Sequence, residues 1–176
     1  MRTLYLDIDT QQDFVFPSGA LYVPGAEKIL ARVAELNREA ITGGHTLLAT
    51  MDAHTENDPE FKAWPHPSAW PHHCVAGTLG QRKPEMTIVP GMRILTKQSV
   101  NCFTNPEMDA MLREGAFIHA VVYGVVTEIC VMHAVNGLLD RGLKVEIRSD
   151  AIQELDANSA IKFLNDVRDC GGIVRS

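Results

Sequence analysis

Strand-like and helix-like segments alternate along this chain, and that alternation restricts the fold more than any other feature. Short apolar runs typical of buried strands lie at residues 3–9, 46–51, 117–124 and 143–148, with a further strand ending near Ile94-Leu95. Runs with apolar residues at helical spacing lie at residues 25–40, 106–113, 130–142 and 156–170. This order predicts an α/β fold: a three-layer, doubly wound, mostly parallel sheet with helices on both faces, and Ile173-Val174 as a terminal strand or tail.

Size and charge exclude several classes of protein. The 176 residues fit one domain spanning 1–176. A net charge of −6, without a cluster of cations, argues against a nucleic-acid partner. No apolar run approaches the roughly 20 residues of a membrane helix, so no membrane partner is expected. Asp7 and Asp9 interrupt the N-terminal apolar stretch that a signal peptide needs, which predicts a cytoplasmic protein.

Cys130 lies where the strand at 117–124 turns into the next helix. The N–H groups at a helix N-terminus favour a thiolate, which is the reactive form of cysteine. Cysteine is also one of the commonest buried residues. This segment alone therefore leaves two interpretations open, a nucleophile and a structural core residue.

Polar side chains follow several predicted strands. Asp9 closes the first strand, Asp52 and His54 follow the second, and Lys97 follows Ile94-Leu95. The carboxyl ends of parallel strands meet at one edge, where ligands bind in such folds. There, a lysine is expected to lower the pKa of a cysteine thiol, and an aspartate to accept its proton. Taken singly, Asp9 could instead cap a turn and Lys97 could be an exposed cation.

The long irregular segment from 53 to 90 contains candidate metal ligands. Asp52-x-His54 projects two ligands to the same side of an extended segment, and His73 follows in the loop. One carboxylate and two imidazoles suit Zn²⁺ or a similar divalent ion. A histidine-rich loop that merely covers the sheet is the alternative.

Together these segments resemble the isochorismatase-like cysteine hydrolases, in order and over essentially the whole chain. Asp9–Phe14 resembles the opening motif of that superfamily, and Gly124–Val131 resembles its nucleophile segment. Thr50–His54 and Trp70–Thr78 resemble the metal-site segments of its nicotinamidase branch. Lys97 lies where the family places its lysine.

The resemblance implies a catalytic triad of Asp9, Lys97 and Cys130. It also implies a cis peptide between Val125 and Val126, which directs backbone N–H groups, including that of Cys130, toward the substrate oxygen. The implied reaction is hydrolysis of an amide through a thioester, with nicotinamide and water giving nicotinate and ammonia.

The resemblance also implies a divalent metal held by Asp52, His54 and His73. Zinc is the expected ion, with iron or manganese as alternatives. Some relatives add a fourth ligand, and Glu60 stands at a comparable place in this chain.

The family's substrate ring packs against aromatic residues that match Phe14 and Trp70, although either could equally belong to the core. Other readings remain open: another small amide or carbamoyl substrate, isochorismate hydrolysis, or a noncatalytic ligand-binding module. Asp7, two residues before Asp9, is a rival base, and Asp13 is expected to brace the site or hold Lys97. Family members commonly self-associate, so a homo-oligomer is expected.

Overall fold

The computed structural model describes residues 3–59, 61 and 70–176. Its strands are β1 (Leu4–Ile8), β2 (Thr46–Asp52), β3 (Arg93–Lys97), β4 (His119–Val125), β5 (Lys144–Gln153) and β6 (Ile173–Arg175). Its α-helices are α1 (Gln12–Val15), α2 (Leu30–Thr42), α3 (Pro106–Gly115), α4 (Met132–Asp140) and α5 (Ala157–Asp169).

The six strands form one sheet in the order β3-β2-β1-β4-β5-β6, and every described pair is parallel. Strand β4 is apolar on both faces: Ala120 and Val122 lie on one, Val121 and Tyr123 lie on the other, and all four are buried. A strand needs this composition when helices cover both of its faces. The predicted parallel sheet is therefore confirmed.

Helices cover both faces of this sheet. Crossovers between parallel strands are right-handed, and the chain moves in opposite directions from β1 to β2 and from β4 to β5. That rule places α2 on one face and α3, α4 and α5 on the other. Helix α2 packs against β1 and β2, α4 packs against β5, and α5 packs against β6. The doubly wound, three-layer architecture is confirmed.

Local sequence sets the helix boundaries. The Asn105 side chain accepts a hydrogen bond from the Glu107 N–H at 2.9 Å, and Pro106 occupies the first turn of α3. Asp156 caps α5, as predicted, by accepting from the Ser159 N–H at 2.7 Å. The helix predicted over 25–40 begins as a 3₁₀ turn and becomes α-helical only at Leu30.

None of the described helices combines the length and hydrophobicity needed to span a bilayer.

Strand β5 extends five residues beyond the predicted end at Arg148. The polar residues Ser149 and Asp150 resemble a loop in the sequence. The strand continues through them because its pairing with β4 shifts register between Val122 and Gly124. A local irregularity of this kind lets polar residues occur inside a strand.

Gly124 allows β1 and β4 to approach closely near their carboxyl ends. Its φ is +116°, and a Cβ atom there would lie 2.1 Å from the Ile8 carbonyl oxygen. Only glycine fits both the backbone conformation and the space. The chain leaves the sheet just after this contact and leads to Cys130.

Candidate active site

The candidate catalytic residues meet where the strand order reverses, between β1 and β4. Asp9 directly follows β1, and Cys130 lies five residues after the end of β4. Asp52 and Lys97 are the last residues of β2 and β3. Since all four strands are parallel, their carboxyl ends lie at one edge, which is the usual ligand site of this architecture.

Lys97 lies at the centre of the cluster. Its Nζ is 2.7 Å from Asp9 Oδ2 and 3.9 Å from Cys130 Sγ. The same ammonium group also donates to Asp52 Oδ1. All four side chains are buried, and Cys130 retains 7% exposure. The structure therefore brings the three predicted triad residues together and adds Asp52 as a second carboxylate on the lysine.

Opposing effects act on the pKa of the Cys130 thiol. Burial raises the pKa of Cys130 well above its usual value, and this effect outweighs the lowering by Lys97. The Asp9 carboxylate raises the same pKa further. Lys97 does lower the thiol pKa, as expected, but the loss of hydration on burial disfavours the thiolate more than this one cation stabilises it.

The two carboxylates on Lys97 have different proton affinities. Burial raises the pKa of Asp9, and this outweighs the lowering by Lys97. Burial acts on Asp52 too, but the Lys97 ammonium and the neighbouring His54 imidazole together lower the pKa of Asp52. Asp9 is therefore the stronger base of the pair, and a general base gains from a raised carboxylate pKa.

Asp9 is held in position by the neighbouring strand. Its Oδ1 accepts a 2.7 Å hydrogen bond from the Thr50 hydroxyl, and its backbone N–H donates to the Thr50 carbonyl at 3.3 Å. Asp9 has a φ of 48°, in the left-handed region that non-glycine residues seldom occupy. This backbone turn aims the carboxylate at Lys97 instead of continuing the alternation of β1.

Cys130 lies in a single π-helical turn, Thr127–Val131, which leads into α4. The peptide bond between Val125 and Val126, just before this turn, is cis. π-Helical turns occur often at functional sites. Cys130 therefore lies within the first helical turn that follows β4.

Asp52, His54 and His73 form a second cluster that adjoins the first. One ligand atom from each lies within 4.8 Å of the others, and all three residues are buried. His54 Nε2 is 3.7 Å and His73 Nε2 is 3.9 Å from Asp52 Oδ2. This arrangement of one carboxylate and two imidazoles fits a divalent metal ion.

Hydrogen bonds orient both imidazoles for this role. His73 Nδ1 donates to the Pro71 carbonyl at 2.8 Å, and His54 Nδ1 lies 3.1 Å from Asp58 Oδ2. Donation by Nδ1 leaves Nε2 as the acceptor nitrogen, which is the form that binds metals. Burial also lowers the pKa of His73, which favours the neutral ring.

A narrow, mostly apolar pocket lies beside Cys130. Phe14 and Trp70, the predicted substrate-binding residues, both line it, together with Asp52 and His73 of the metal cluster. The pocket therefore joins Cys130 to the candidate metal site. Its remaining lining residues are Leu21, Val100, Val126, Ile129 and Leu155.

Three further residues that the sequence suggested for the site are Asp7, Asp13 and Glu60. Asp7 is buried against Lys83, 2.9 Å from its Nζ, and away from the triad, so it is not the base that holds Lys97. Asp13 braces two loops by accepting from the Ala20 and Cys74 N–H groups, rather than holding Lys97. Glu60, the candidate fourth metal ligand, lies outside the described residues.

Sequence reasoning missed two supports of the site. Asp58 follows His54 by four residues, and a carboxylate near a predicted histidine ligand was an available signal. Thr50 pairs in register with Ile8, one residue before Asp9, but that pairing is visible only in the sheet.

A family model for the isochorismatase domain matches residues 3–176. This chain belongs to the isochorismatase domain family. The superfamily resemblance of the sequence motifs is thereby confirmed.

Relatives within this family share the length of the chain. An isochorismatase family protein of Bacillus subtilis (strain 168) is 26% identical, with 95% of this chain and 97% of the relative covered. A nicotinamidase/pyrazinamidase of Mycobacterium tuberculosis is also 26% identical, with 96% and 95% covered. The structure of a Pyrococcus horikoshii pyrazinamidase in complex with zinc superimposes with a TM-score of 0.90 at 27% identity, covering 99% of this chain and 98% of that one.

Proposed function

We propose that the protein is a cysteine amidohydrolase that converts nicotinamide and water to nicotinate and ammonia. The observation that carries the proposal is the contact of Lys97 with Asp9 and Cys130. Cys130 lines an apolar pocket that is also lined by Asp52 and His73 of the metal cluster. Likeness to proteins named nicotinamidase and pyrazinamidase supports the same substrate.

In the first half of the reaction, Asp9 accepts the proton of the Cys130 thiol as sulfur attacks the amide carbon. The raised pKa of Asp9 suits it to this task, and Lys97 stabilises the negative charge that passes between carboxylate and sulfur. Backbone N–H groups of Val126 and Cys130 stabilise the amide oxygen as it becomes negative, worth about 3–4 kcal/mol for each donor in comparable sites.

The C–N bond then breaks, and the proton on Asp9 passes to the departing nitrogen as ammonia. The acyl group remains on Cys130 as a thioester. In the second half, Asp9 accepts a proton from water as the water oxygen attacks the thioester. The C–S bond breaks, the acid leaves, and the thiol regains its proton from Asp9.

We propose Asp52, His54 and His73 as ligands of a divalent metal, with Zn²⁺ as the expected ion. When bound, the metal supplies a Lewis-acid site for the pyridine nitrogen, directly or through a water, and so orients the ring. The chain's contribution is to hold both imidazoles in the ligating tautomer through Asp58 and Pro71.

The pocket lining favours a neutral aromatic amide over the alternative substrates. Among the described residues that line it there is no lysine or arginine. Isochorismate and carbamoyl amino acids carry carboxylates, which such an apolar wall would desolvate without compensation. A flat, uncharged ring instead packs against Phe14 and Trp70.

An ammonia-release assay on a panel of amides tests the proposed function. We expect ammonia from nicotinamide and pyrazinamide, and at least about a hundredfold lower kcat/KM for N-carbamoyl amino acids. Ammonia release from a carbamoyl compound alone would replace the proposed substrate. Absence of turnover with every amide, for protein loaded with metal, would favour a binding module.

Removal of the metal should reduce turnover and leave the triad in place. Dialysis against a chelator is expected to raise KM for nicotinamide by at least about tenfold, because the ring loses its anchor. It should also lower Tm, since a ligand bound to the folded state stabilises it. Titration with Zn²⁺, Fe²⁺ and Mn²⁺, followed by activity and Tm, identifies the effective ion. Retention of wild-type KM in protein shown to be metal-free by elemental analysis would contradict the assigned role.

A further inference from the structure

Glu128 connects the nucleophile turn to a loop on another part of the sheet. It lies two residues before Cys130 within Thr127–Val131. Its Oε1 accepts two backbone hydrogen bonds, from the Leu155 N–H at 2.9 Å and the Asp156 N–H at 2.7 Å. Bonds from N–H groups to a carboxylate are stronger than those between neutral groups. One side chain therefore fixes this loop to the turn that carries the nucleophile.

The loop fastened by Glu128 is short. It contains only residues 154–156, between the end of β5 at Gln153 and the start of α5 at Ala157. A segment this short has little freedom once both ends are held. The two N–H groups bound by Glu128 are those of its last two residues, so the carboxylate sets how closely the loop approaches Cys130.

Leu155, at the centre of this loop, lines the pocket beside Cys130. The pocket floor is buried, with Phe14 at 3% exposure and Val126 at 5%, whereas Leu155 is 40% exposed. Leu155 therefore lies at the rim, and its exposed part faces water until a ligand covers it. A large apolar residue at the rim limits the width of a ring that can reach the thiol.

We infer that Leu155 is a specificity-determining residue and that Glu128 is the residue that positions it. Together they restrict the site to single-ring aromatic amides and exclude fused-ring amides. This inference deepens the proposed function and rests on it for the identity of the substrate. Glu128 acts through Leu155 and does not touch the reacting atoms.

Variants of both residues test the inference with two probes, nicotinamide and the fused-ring amide quinoline-3-carboxamide. The wild type should strongly prefer nicotinamide. Glu128→Ala and Leu155→Ala should each reduce that preference, measured as the ratio of kcat/KM values, by at least about tenfold. KM for nicotinamide should rise while kcat changes by less than about threefold, because the triad is intact.

The double variant and two controls separate positioning from general stability. Glu128→Ala/Leu155→Ala should show no greater loss of preference than either single change, since both act through one contact. Glu128→Gln should restore most of the preference, because its amide oxygen can accept both N–H groups. Asp156→Ala removes the cap of α5 and should lower Tm without changing the preference.

A second measurement does not require amidase activity. Cys130 can be alkylated with iodoacetamide and with the bulkier N-phenylmaleimide, and peptide mass spectrometry distinguishes it from the exposed Cys170. Glu128→Ala and Leu155→Ala should each raise the relative rate of the bulky reagent at Cys130 by about tenfold, in line with the opening of an apolar rim.

The outcomes are distinct. Loss of Tm with unchanged preference and unchanged alkylation ratio in Glu128→Ala would overturn the inference and leave the proposed function standing. Additive effects in the double variant would show that the two residues act independently, which also overturns it. Absence of nicotinamide turnover in the wild type would refute the proposed function. The alkylation ratio would still show whether Glu128 and Leu155 limit the access of bulky molecules to Cys130.

Discussion

Cys130→Ala should abolish amide hydrolysis, with kcat/KM falling by more than about 10⁴-fold. Without the thiol no thioester can form, and the remaining groups supply only binding and polarisation. The fold should persist, because the change removes one small buried atom.

Asp9→Asn should lower kcat/KM by more than about 10³-fold, since an amide of the same shape cannot accept the thiol proton. Steady-state kinetics and circular dichroism measure both effects.

Cys102→Ala is the matched control for the nucleophile. Cys102 is also a buried cysteine, at 1% exposure, but it is not part of the pocket beside Cys130. Its replacement should leave kcat/KM within a few-fold of wild type.

Hydroxylamine added to the wild type should also intercept the thioester and yield a hydroxamate. Turnover by Cys130→Ala above about 1% of wild type would remove the covalent mechanism.

Lys97→Met should lose both activity and stability. The substitution leaves two buried carboxylates, Asp9 and Asp52, close together without their shared cation. Removing one partner from a buried ion pair costs about 3–5 kcal/mol, because the remaining charge is desolvated and uncompensated. Urea unfolding of the metal-loaded protein measures this loss. Activity should fall by at least about 10²-fold, since nothing then stabilises the charge that moves between Asp9 and Cys130.

Lys83→Met separates these two effects. Lys83 is buried and pairs with Asp7, a residue of β1, the strand that leads to Asp9. Neither Lys83 nor Asp7 belongs to the cluster around Lys97. Its loss should also destabilise the fold by a few kcal/mol, about as much as other broken buried pairs. Asp7 retains hydrogen bonds from Thr10 and Asn37, so the loss should be the smaller of the two. If Lys97→Met and Lys83→Met lose activity to the same extent, destabilisation alone explains both, and the charge-stabilising role of Lys97 fails.

Much of the architecture could be predicted because buried parallel strands and amphipathic helices have distinct periodicities. The strand ends carry Asp9, Asp52 and Lys97, so the convergence of these residues followed from the parallel order alone. The extension of β5 to Gln153 could not be predicted, because it depends on a register shift against β4. Self-association, the identity of the metal and the ligation by Glu60 remain predictions.

The electrostatics and the pocket rim were less accessible to sequence reasoning. The thiol pKa also depends on burial, which no motif records, and at Cys130 burial outweighs the lowering by Lys97. The pairing of Asp7 with Lys83 joins residues far apart in the chain through packing alone. Leu155 reaches the pocket through a hydrogen-bonded loop, so no local pattern marked it.

The central place of β1 has a consequence for synthesis on the ribosome. One edge of β1 pairs with β2, which follows within a few dozen residues of the chain. The other edge of β1 pairs with β4, which is synthesised much later; there Leu6 pairs with Val122. Until that stretch emerges, an apolar strand edge stays open and is prone to wrong pairings. Chaperone demand during translation should therefore peak before β4 leaves the exit tunnel and decline once the sheet can close.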